Sequence, residues 1–204
     1  MARDGSSTRD KILDTAEELI LERGYSGVSV DSMINKLGIT KGAFFHHFKN
    51  KQAMAEALLH RFGDQDLVLM ENLRSRAEKL SRDPLQQFLI YIGLFEEMFD
   101  SMTEPFPGCL FASYTYELQQ FDEATRRYIA ESVLRWRGEL QDWFEIIMAQ
   151  YPPRLPVDSA SLADSFNTIL EGAFIMSKAA NQPEIIVQQL RHYKNYIELL
   201  FATD

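Results

Sequence analysis

Small, cationic and aromatic residues are concentrated between positions 38 and 51. Gly38 can end one helix in the left-handed conformation, and the hydroxyl of Thr40 can cap the start of the next. Lys41, Gly42 and Ala43 then occupy the first turn of that second helix. Small residues there permit close approach to base edges, while the free N–H groups of the turn attract phosphate. The chemistry that this segment predicts is contact with the major groove of a nucleic-acid duplex.

Two short helices must position these residues. Val30 to Leu37 places its apolar residues on one face at helical spacing, and a second helix is predicted over 41–48. Two such helices joined by a glycine turn form a helix-turn-helix, which places its second helix in the major groove. Phe44 and Phe48 are expected to anchor this unit to its own core. Asn50 is expected to cap the next helix, which begins at Lys51.

The segment Gly38–Lys51 resembles the DNA-binding signature of the TetR family of transcriptional regulators, with its glycine turn, Thr-Lys-Gly entry, aromatic pair and His-Phe. Residues 8–25 are similar to the first helix of that family and its Gly-Tyr exit. The resemblance implies that one group of residues approaches bases or nearby phosphates, namely Thr40, Lys41, Gly42, Ala43 and Phe45. It also implies that His46, His47 and Lys51 clamp the phosphate backbone.

Two positions depart from the family pattern. Phe45 stands where the family usually has a tyrosine, so the hydrogen bond from a tyrosine hydroxyl to phosphate is absent or replaced. Ile34 stands where a small residue usually lets the two helices cross closely, which leaves their crossing angle open. The phosphate contacts are therefore expected to depend mainly on His46, His47 and Lys51.

The charge is unevenly distributed along the chain. The formal net charge of the 204 residues is -9, which argues against a nonspecific nucleic-acid binder. The first 62 residues nevertheless carry nine Lys and Arg against eight Asp and Glu, while the remainder carries 12 against 22. A near-neutral head with local cations on an acidic body fits a site-specific reader that contacts few phosphates.

Composition indicates a cytoplasmic protein. We expect no secretory signal, and the longest apolar run, 88–95, is too short to span a bilayer. Cys109 is the single cysteine and cannot form an intramolecular disulfide, which suits a reducing compartment. No motif for a metal or another cofactor is evident, so we expect no cofactor. Because no apolar run is long enough to span a bilayer, we also expect no membrane partner.

The chain beyond the helix-turn-helix is predicted to be helical throughout. Breaks at Pro and Gly predict helices over about 51–81, 84–102, 108–119, 122–150, 158–180 and 183–202, for a total of nine. The predicted fold is all-α, with a three-helix DNA-binding head and a six-helix ligand-binding and dimerisation body. The predicted domains are 1–51 and 52–204.

The last two predicted helices carry apolar residues at spacings of 4, 3, 4 and 3, which form a heptad-like seam on each helix. Each seam could pack onto its own body. Additional apolar residues beside the seams favour a four-helix interface between two copies, which is also how the family dimerises. The residues predicted to lie in this interface are Leu162, Phe166, Ile169, Ala173, Met176, Ile186, Leu190, Tyr193, Ile197 and Leu200. Two heads related by a two-fold axis would read a palindromic operator in double-stranded DNA.

The middle of the body is rich in aromatic residues. Any one of them could be an ordinary core residue, but together their O–H and N–H groups exceed what a tight core readily satisfies. A mostly apolar cavity with a few polar groups is therefore predicted, and in the TetR family such a cavity holds a small-molecule inducer. The candidate ligand-binding residues are Phe88, Tyr91, Phe95, Cys109, Tyr114, Trp136 and Phe174.

Cys109 admits two interpretations. Pro107-Gly-Cys-Leu-Phe111 places the thiol at a predicted helix start, where its pKa would fall and its nucleophilicity rise. The Gly-Cys pair also resembles a TetR subgroup in which some members sense electrophiles or oxidants. Alternatively, Cys109 is a buried, inert thiol, as free cysteines usually are.

The sequence thus predicts a ligand-responsive repressor, with no enzymatic activity, that a small hydrophobic, aromatic or electrophilic inducer releases from a palindromic operator. Two alternatives remain at this stage. One is a helical adaptor that binds another protein, and the other is a small all-α enzyme. No Gly-rich phosphate loop and no nucleophile with an evident catalytic partner supports the enzyme.

Overall fold

The computed structural model describes residues 5–202, with side chains described from Thr8 onward. The predicted domain ends at 1–4 and 203–204 lie outside the described residues. Within the described range there is no β-strand, and Leu118–Gln120 forms a 3-10 helix. The same range holds nine α-helices: α1 Gly5–Arg23, α2 Val30–Leu37, α3 Lys41–His47, α4 Lys51–Leu80, α5 Pro84–Asp100, α6 Leu110–Thr115, α7 Glu123–Gln150, α8 Ser159–Ala180 and α9 Glu184–Leu200. The all-α prediction is confirmed.

Side-chain caps fix several helix ends. Asp83 accepts a hydrogen bond from the Gln86 amide at 2.8 Å, and Pro84 occupies the first turn of α5. Asp158 caps α8 in the same way. Asn181 ends α8 in the left-handed conformation, with φ of 55°.

The predicted helix over 108–119 is wrong in its extent. Regular α-helix covers only Leu110–Thr115, and the amide of Glu117 bonds to the carbonyl of Tyr114 in a tighter turn before the 3-10 helix. The Thr115 hydroxyl donates to the carbonyl of Phe111 at 2.7 Å, a bond that weakens the helix at this point. Glu117 therefore lies at a bend and not on a helix face.

The chain packs as two compact units. One contains the described residues up to Asp66 together with Pro107–Ala130, and the other contains Leu67–Phe106 with the described residues from Glu131 onward. Helices α4 and α7 each contribute residues to both units. Residues 107–130 join the unit that holds the helix-turn-helix, and the domain division at residue 51 stays a prediction.

The core of the second unit is a cluster of aromatic rings. The Phe88 ring lies 4.6 Å from Phe144 and 5.3 Å from Trp143, measured between ring centroids. Tyr91, Phe95 and Phe166 extend this cluster through further tilted and edge-to-face contacts. Such pairs stabilise a core beyond their simple burial. Most of the aromatic residues that suggested a cavity therefore fill the core of this unit.

No helix in the described range is both long enough and apolar enough to span a membrane. Among the described side chains, no group of three or more His, Cys, Asp and Glu residues is arranged to hold a metal ion.

Candidate DNA-binding surface and effector cavity

The helix-turn-helix is fixed by local hydrogen bonds. Ser29 and Ser32 form a reciprocal capping box at the start of α2, with two side-chain bonds of 3.0 Å. Gly38 ends α2 with φ of 64°, a conformation that a side chain would strain, and Thr40 caps α3 through a 3.1 Å bond from the Ala43 amide. The turn and cap predicted from the sequence are confirmed. The cap predicted at Asn50 is confirmed too, because its side chain accepts from the Ala53 amide at 2.8 Å.

Phe44 and Phe48 are buried, as predicted for core anchors, and Met33 and Ile34 are buried on α2. The larger side chain at position 34 is thus accommodated inside the head. Burial of these four side chains holds α3 in place and determines which residues of that helix face outward.

The residues of α3 and its cap that are predicted to contact DNA are exposed or half-buried. Phe45, next to the fully buried Phe44, has 51% of its surface exposed. His46 is exposed and His47 half-buried, with their ring centroids 5.1 Å apart. Thr40, Gly42 and Ala43 occupy the exposed or half-buried start of α3.

Lys41 is exposed and forms an ion pair of 2.8 Å with Asp31 on α2. An ion pair between two such exposed side chains is weak, typically below about 1 kcal/mol, so the ammonium can exchange this partner for a phosphate.

Lys51 differs from the other predicted phosphate contacts. Its Nζ donates to the Tyr25 carbonyl at 2.5 Å and lies 3.8 Å from the centroid of the Tyr25 ring. Burial lowers the pKa of Lys51, an effect that the nearby Glu117 carboxylate opposes. The Lys51 ammonium is therefore directed toward the turn between α1 and α2.

The seven predicted ligand-binding residues are divided between the two compact units. Cys109 and Tyr114 belong to the unit that contains the helix-turn-helix, whereas the other five belong to the second unit. Phe88, Phe95 and Phe174 are buried in the core of that second unit. Trp136 is also buried, and only Tyr91 of the seven lines the cavity described next.

A cavity of about 650 Å³ lies within the second unit, between the later part of α4, α5 and the middle of α7. Its apolar surfaces come from Tyr91, Trp143 and Leu140, with the Tyr91 and Trp143 ring centroids 5.3 Å apart. Leu67 and Met70 add apolar surface from α4. A volume of this size lies within the range of small-molecule sites, although six of the eleven lining residues are charged or polar.

Charged side chains of both signs line the same cavity. Arg74 lies 4.9 Å from the centroid of the Trp143 ring and bonds Glu78 at 3.0 Å. Arg135 and Glu139 contribute from α7, and Ser75 and Glu71 from α4. The amino-acid sequence does not single out these residues, because ordinary amphipathic helices carry the same charges at the same spacing. Only the approach of α4 to α7 distinguishes them.

Eight of the ten residues predicted to lie in the dimer interface, all except Ile169 and Met176, are buried in the core of their own unit. On α9, the exposed or half-buried row lies one residue earlier, again at spacings of 4, 3, 4 and 3. It consists of Ile185, Gln189, His192, Tyr196 and Leu199. We call this set the outer row of α9.

Comparison with known proteins identifies the family. Residues 12–58 match the family "Bacterial regulatory proteins, tetR family", and residues 92–193 match "Tetracyclin repressor-like, C-terminal domain". The second match alone spans half of the chain. The protein therefore belongs to the TetR family of transcriptional regulators, whose members bind operator DNA and small molecules and function as dimers.

Individual relatives are similar to this protein in sequence or fold along most of its length. The HTH-type transcriptional repressor DhaR from Mycobacterium sp. strain GP1 is 27% identical over 192 residues, which cover 93% of this chain and 91% of DhaR. A TetR-family regulator from Agrobacterium tumefaciens has a similar fold, with a TM-score of 0.80 at 24% identity over 98% of this chain and 100% of the other. The structure of the reduced form of Escherichia coli NemR has a TM-score of 0.70 at 21% identity, over 93% of this chain and 96% of NemR. The protein is a DNA-binding regulator and not an enzyme.

Proposed function

We propose that this protein is a homodimeric repressor that reads a palindromic operator with α3. A small molecule bound in the cavity of the second unit releases it from that operator. The observation that carries the DNA-binding part is the surface of α3, where Phe44 is buried while Thr40, Gly42 and Phe45 remain exposed around the start of the helix. Such a surface is suited to enter a major groove.

Gly42 supports this assignment because nothing within the protein requires a glycine there. A Cβ at position 42 would meet only the Thr40 hydroxyl, at 3.8 Å, and the residue is helical without a positive φ. Glycine inside a helix is less stable than alanine by roughly 0.5–1 kcal/mol. At the exposed start of α3, the absence of a side chain leaves room for close approach by an external partner such as the DNA backbone or a base edge.

Gly42→Ala is therefore expected to have opposite effects on stability and on DNA binding. The melting temperature should stay the same or rise slightly, because alanine favours the helix. Affinity for a duplex from the protein's own promoter region should fall about tenfold, since the methyl group occupies the space needed for close approach. Thermal denaturation and fluorescence anisotropy measure the two effects.

Gly138→Ala is the matched control, because this glycine also lies in a helix with no atom close to an added Cβ. It should leave DNA binding unchanged. Unchanged DNA affinity of the Gly42→Ala protein would contradict the placement of α3 in the groove.

The effector site is proposed from the helices that line the cavity. Both α4 and α7 contribute lining residues, and both helices continue into the unit that contains the helix-turn-helix. A ligand that contacts them can favour one conformation of these helices over another. Coupling of about 1–3 kcal/mol between the two sites is enough to shift DNA affinity by 5- to 150-fold.

The lining favours a planar, mostly apolar molecule with a polar or charged substituent. Its ring would lie against Tyr91 and Trp143, and its substituent would reach Arg135 or Glu139. Cys109 does not line this cavity, so noncovalent binding is proposed as the releasing event.

Ser75→Trp is expected to fill the cavity from α4 without disturbing the buried aromatic core. A library of planar aromatic acids and amines can be screened for compounds that raise the melting temperature of the unmodified protein. At a hundredfold excess over Kd, a ligand adds about 2.7 kcal/mol of stability. We expect the Ser75→Trp protein to bind promoter DNA normally and to lose both the thermal shift and the release of DNA.

Gln86→Trp adds the same side chain at an exposed position of α5 and should respond as the unmodified protein does. Equal thermal shifts in the Ser75→Trp and unmodified proteins would place the effector elsewhere.

The dimer is proposed to form through the outer row of α9 together with exposed residues of α8, among them Ile175 and Met176. Apolar side chains on a helix face with no cover from the same chain are typical of an interface. The spacing of the outer row suits packing against the same row of a second copy.

A further inference from the structure

The turn between α1 and α2 is held by two charged side chains that come from other parts of its unit. Lys51 at the start of α4 donates to the Tyr25 carbonyl, and Glu117 after α6 accepts from Ser26. The distance from the Ser26 amide nitrogen to Glu117 Oε2 is 2.9 Å, and the Ser26 hydroxyl donates to the same oxygen. The turn leads directly into α2, so its position determines where the helix-turn-helix begins.

Gly24 shows how closely Glu117 approaches the turn. The residue adopts φ of 74°, and a Cβ there would lie 2.7 Å from Glu117 Oε1. A side chain at position 24 would therefore be strained by the backbone and would also collide with the carboxylate. Three successive residues, Gly24, Tyr25 and Ser26, are thus fitted to Glu117 and Lys51.

Aromatic packing supports the same arrangement. The Tyr25 ring lies 4.6 Å from Phe121 and 5.9 Å from Tyr114, measured between centroids. The Tyr114 hydroxyl donates to the carbonyl of Ala55 on α4 at 3.2 Å. Residues from 107–130 thus contact both the turn and the beginning of α4 within one compact unit.

The charges favour inward orientation of the lysine. Burial alone would raise the pKa of the Glu117 carboxyl, but hydrogen bonds from Ser26 and the Lys51 cation lower it, so the carboxylate is charged at neutral pH. If the Lys51 ammonium turned outward to a phosphate, it would leave the Tyr25 carbonyl, the Tyr25 ring and this carboxylate. Charge-assisted bonds of this kind are stronger than neutral ones.

We propose that Lys51 and Glu117 are positioning residues that brace the α1–α2 turn so that α3 is presented correctly, and that neither side chain contacts DNA. This inference rests on the proposed DNA-binding function. It assigns to Lys51 a role different from the phosphate clamp that the family resemblance implies. It also assigns to Glu117, outside the helix-turn-helix, a role in setting DNA affinity.

The salt dependence of DNA binding shows whether Lys51 positions the α1–α2 turn or contacts a phosphate. Each phosphate contact that is lost reduces the slope of log K against log salt by about 0.9. We expect Lys51→Met to weaken binding to the promoter duplex about tenfold at every salt concentration while the slope stays that of the unmodified protein. Lys41→Met, on the exposed start of α3, should instead reduce the slope.

Glu117→Ala gives a test of opposite sign. Removal of a carboxylate from a protein that binds a polyanion should tighten binding if the residue acts only through its charge. If Glu117 instead positions the α1–α2 turn, the variant should lose about tenfold in DNA affinity, and the slope of log K against log salt should stay unchanged. Glu123→Gln removes a charge from an exposed side chain in the first turn of α7, within the same unit, and it should cause no loss of DNA affinity.

Hydrogen exchange of the Ser26 amide tests the brace without DNA. We expect its protection to fall in the Glu117→Ala protein at temperatures well below melting, while amides in α1 remain protected. Retained protection, tighter binding by Glu117→Ala, or a smaller slope for Lys51→Met would each overturn the proposal. If the unmodified protein fails to bind the duplex, the proposed function fails, and the exchange measurement still decides whether the brace exists.

Discussion

Tyr196→Glu combined with Leu199→Glu is expected to separate the dimer into single chains and to weaken operator binding at least a hundredfold. Both side chains belong to the outer row of α9, and 37% and 68% of their respective surfaces are exposed in the single chain. Two carboxylates from each copy would meet their equivalents across a symmetric interface. Burial of such unpaired charges is strongly unfavourable, so the interface should not form.

The effect on DNA binding follows from linkage of the two heads. A second head attached to the same dimer binds at a high effective concentration, which raises overall affinity by roughly 10²–10⁴ over that of one head. A single chain contacts one half-site and loses this gain. Sedimentation velocity gives the oligomeric state, and anisotropy with the promoter duplex gives the affinity.

Val133→Glu with Leu134→Glu is the matched control, because these apolar side chains are similarly exposed on α7 and lie outside the outer row. This control protein should remain dimeric. A dimeric Tyr196→Glu/Leu199→Glu protein with unchanged DNA affinity would show that another surface forms the dimer.

Phe44→Ala and Phe45→Ala are expected to act in different ways although the residues are adjacent. Phe44 is fully buried and packs against Phe48, with ring centroids 5.9 Å apart. Replacement of a buried phenylalanine by alanine typically removes about 3–5 kcal/mol of stability, so the head should unfold at a much lower temperature. Phe45 is half exposed, and its replacement should change stability by less than about 0.5 kcal/mol.

DNA binding distinguishes these two variants further. At a temperature where both proteins are folded, Phe45→Ala should bind the promoter duplex at least about tenfold more weakly, because an apolar contact at the groove is lost. Phe45→Tyr, which restores the hydroxyl usual in the family, should bind at least as tightly as the unmodified protein. Full DNA affinity in the Phe45→Ala protein would exclude this side chain from the interface.

The helix-turn-helix was predictable because its determinants are local. The Gly38 turn and the Thr40 cap depend only on residues within a few positions, and each confers one specific geometry. Burial of Phe44 with exposure of Phe45 follows from helical periodicity alone. The helix ends and the buried positions of the helix-turn-helix could therefore be predicted from neighbouring residues alone.

A heptad pattern alone does not state what a row of apolar residues packs against. Two rows on α9, one residue apart, have the same spacing. The more apolar row, which includes Leu190 and Ile197, is buried against α5 and α8. The less apolar outer row remains exposed, and only tertiary packing distinguishes the two.

The proposed role of Lys51 could not be predicted from the sequence, for a different reason. Its position in the sequence matches the family signature, and its partners Tyr25 and Glu117 are distant along the chain. The bend after α6 that brings Glu117 to the turn was predicted as continuous helix. Nonlocal contacts of this kind leave no periodic signal in a sequence.

The most direct test of the account is a binding experiment with the protein's own promoter region. The full-length protein should form one discrete complex with a duplex from that region, with two protected half-sites about one helical turn, roughly 34 Å, or more apart. This complex should weaken steeply with salt and survive excess unrelated DNA. Diffuse binding that unrelated DNA removes equally well would contradict the central claim that this protein reads a specific operator.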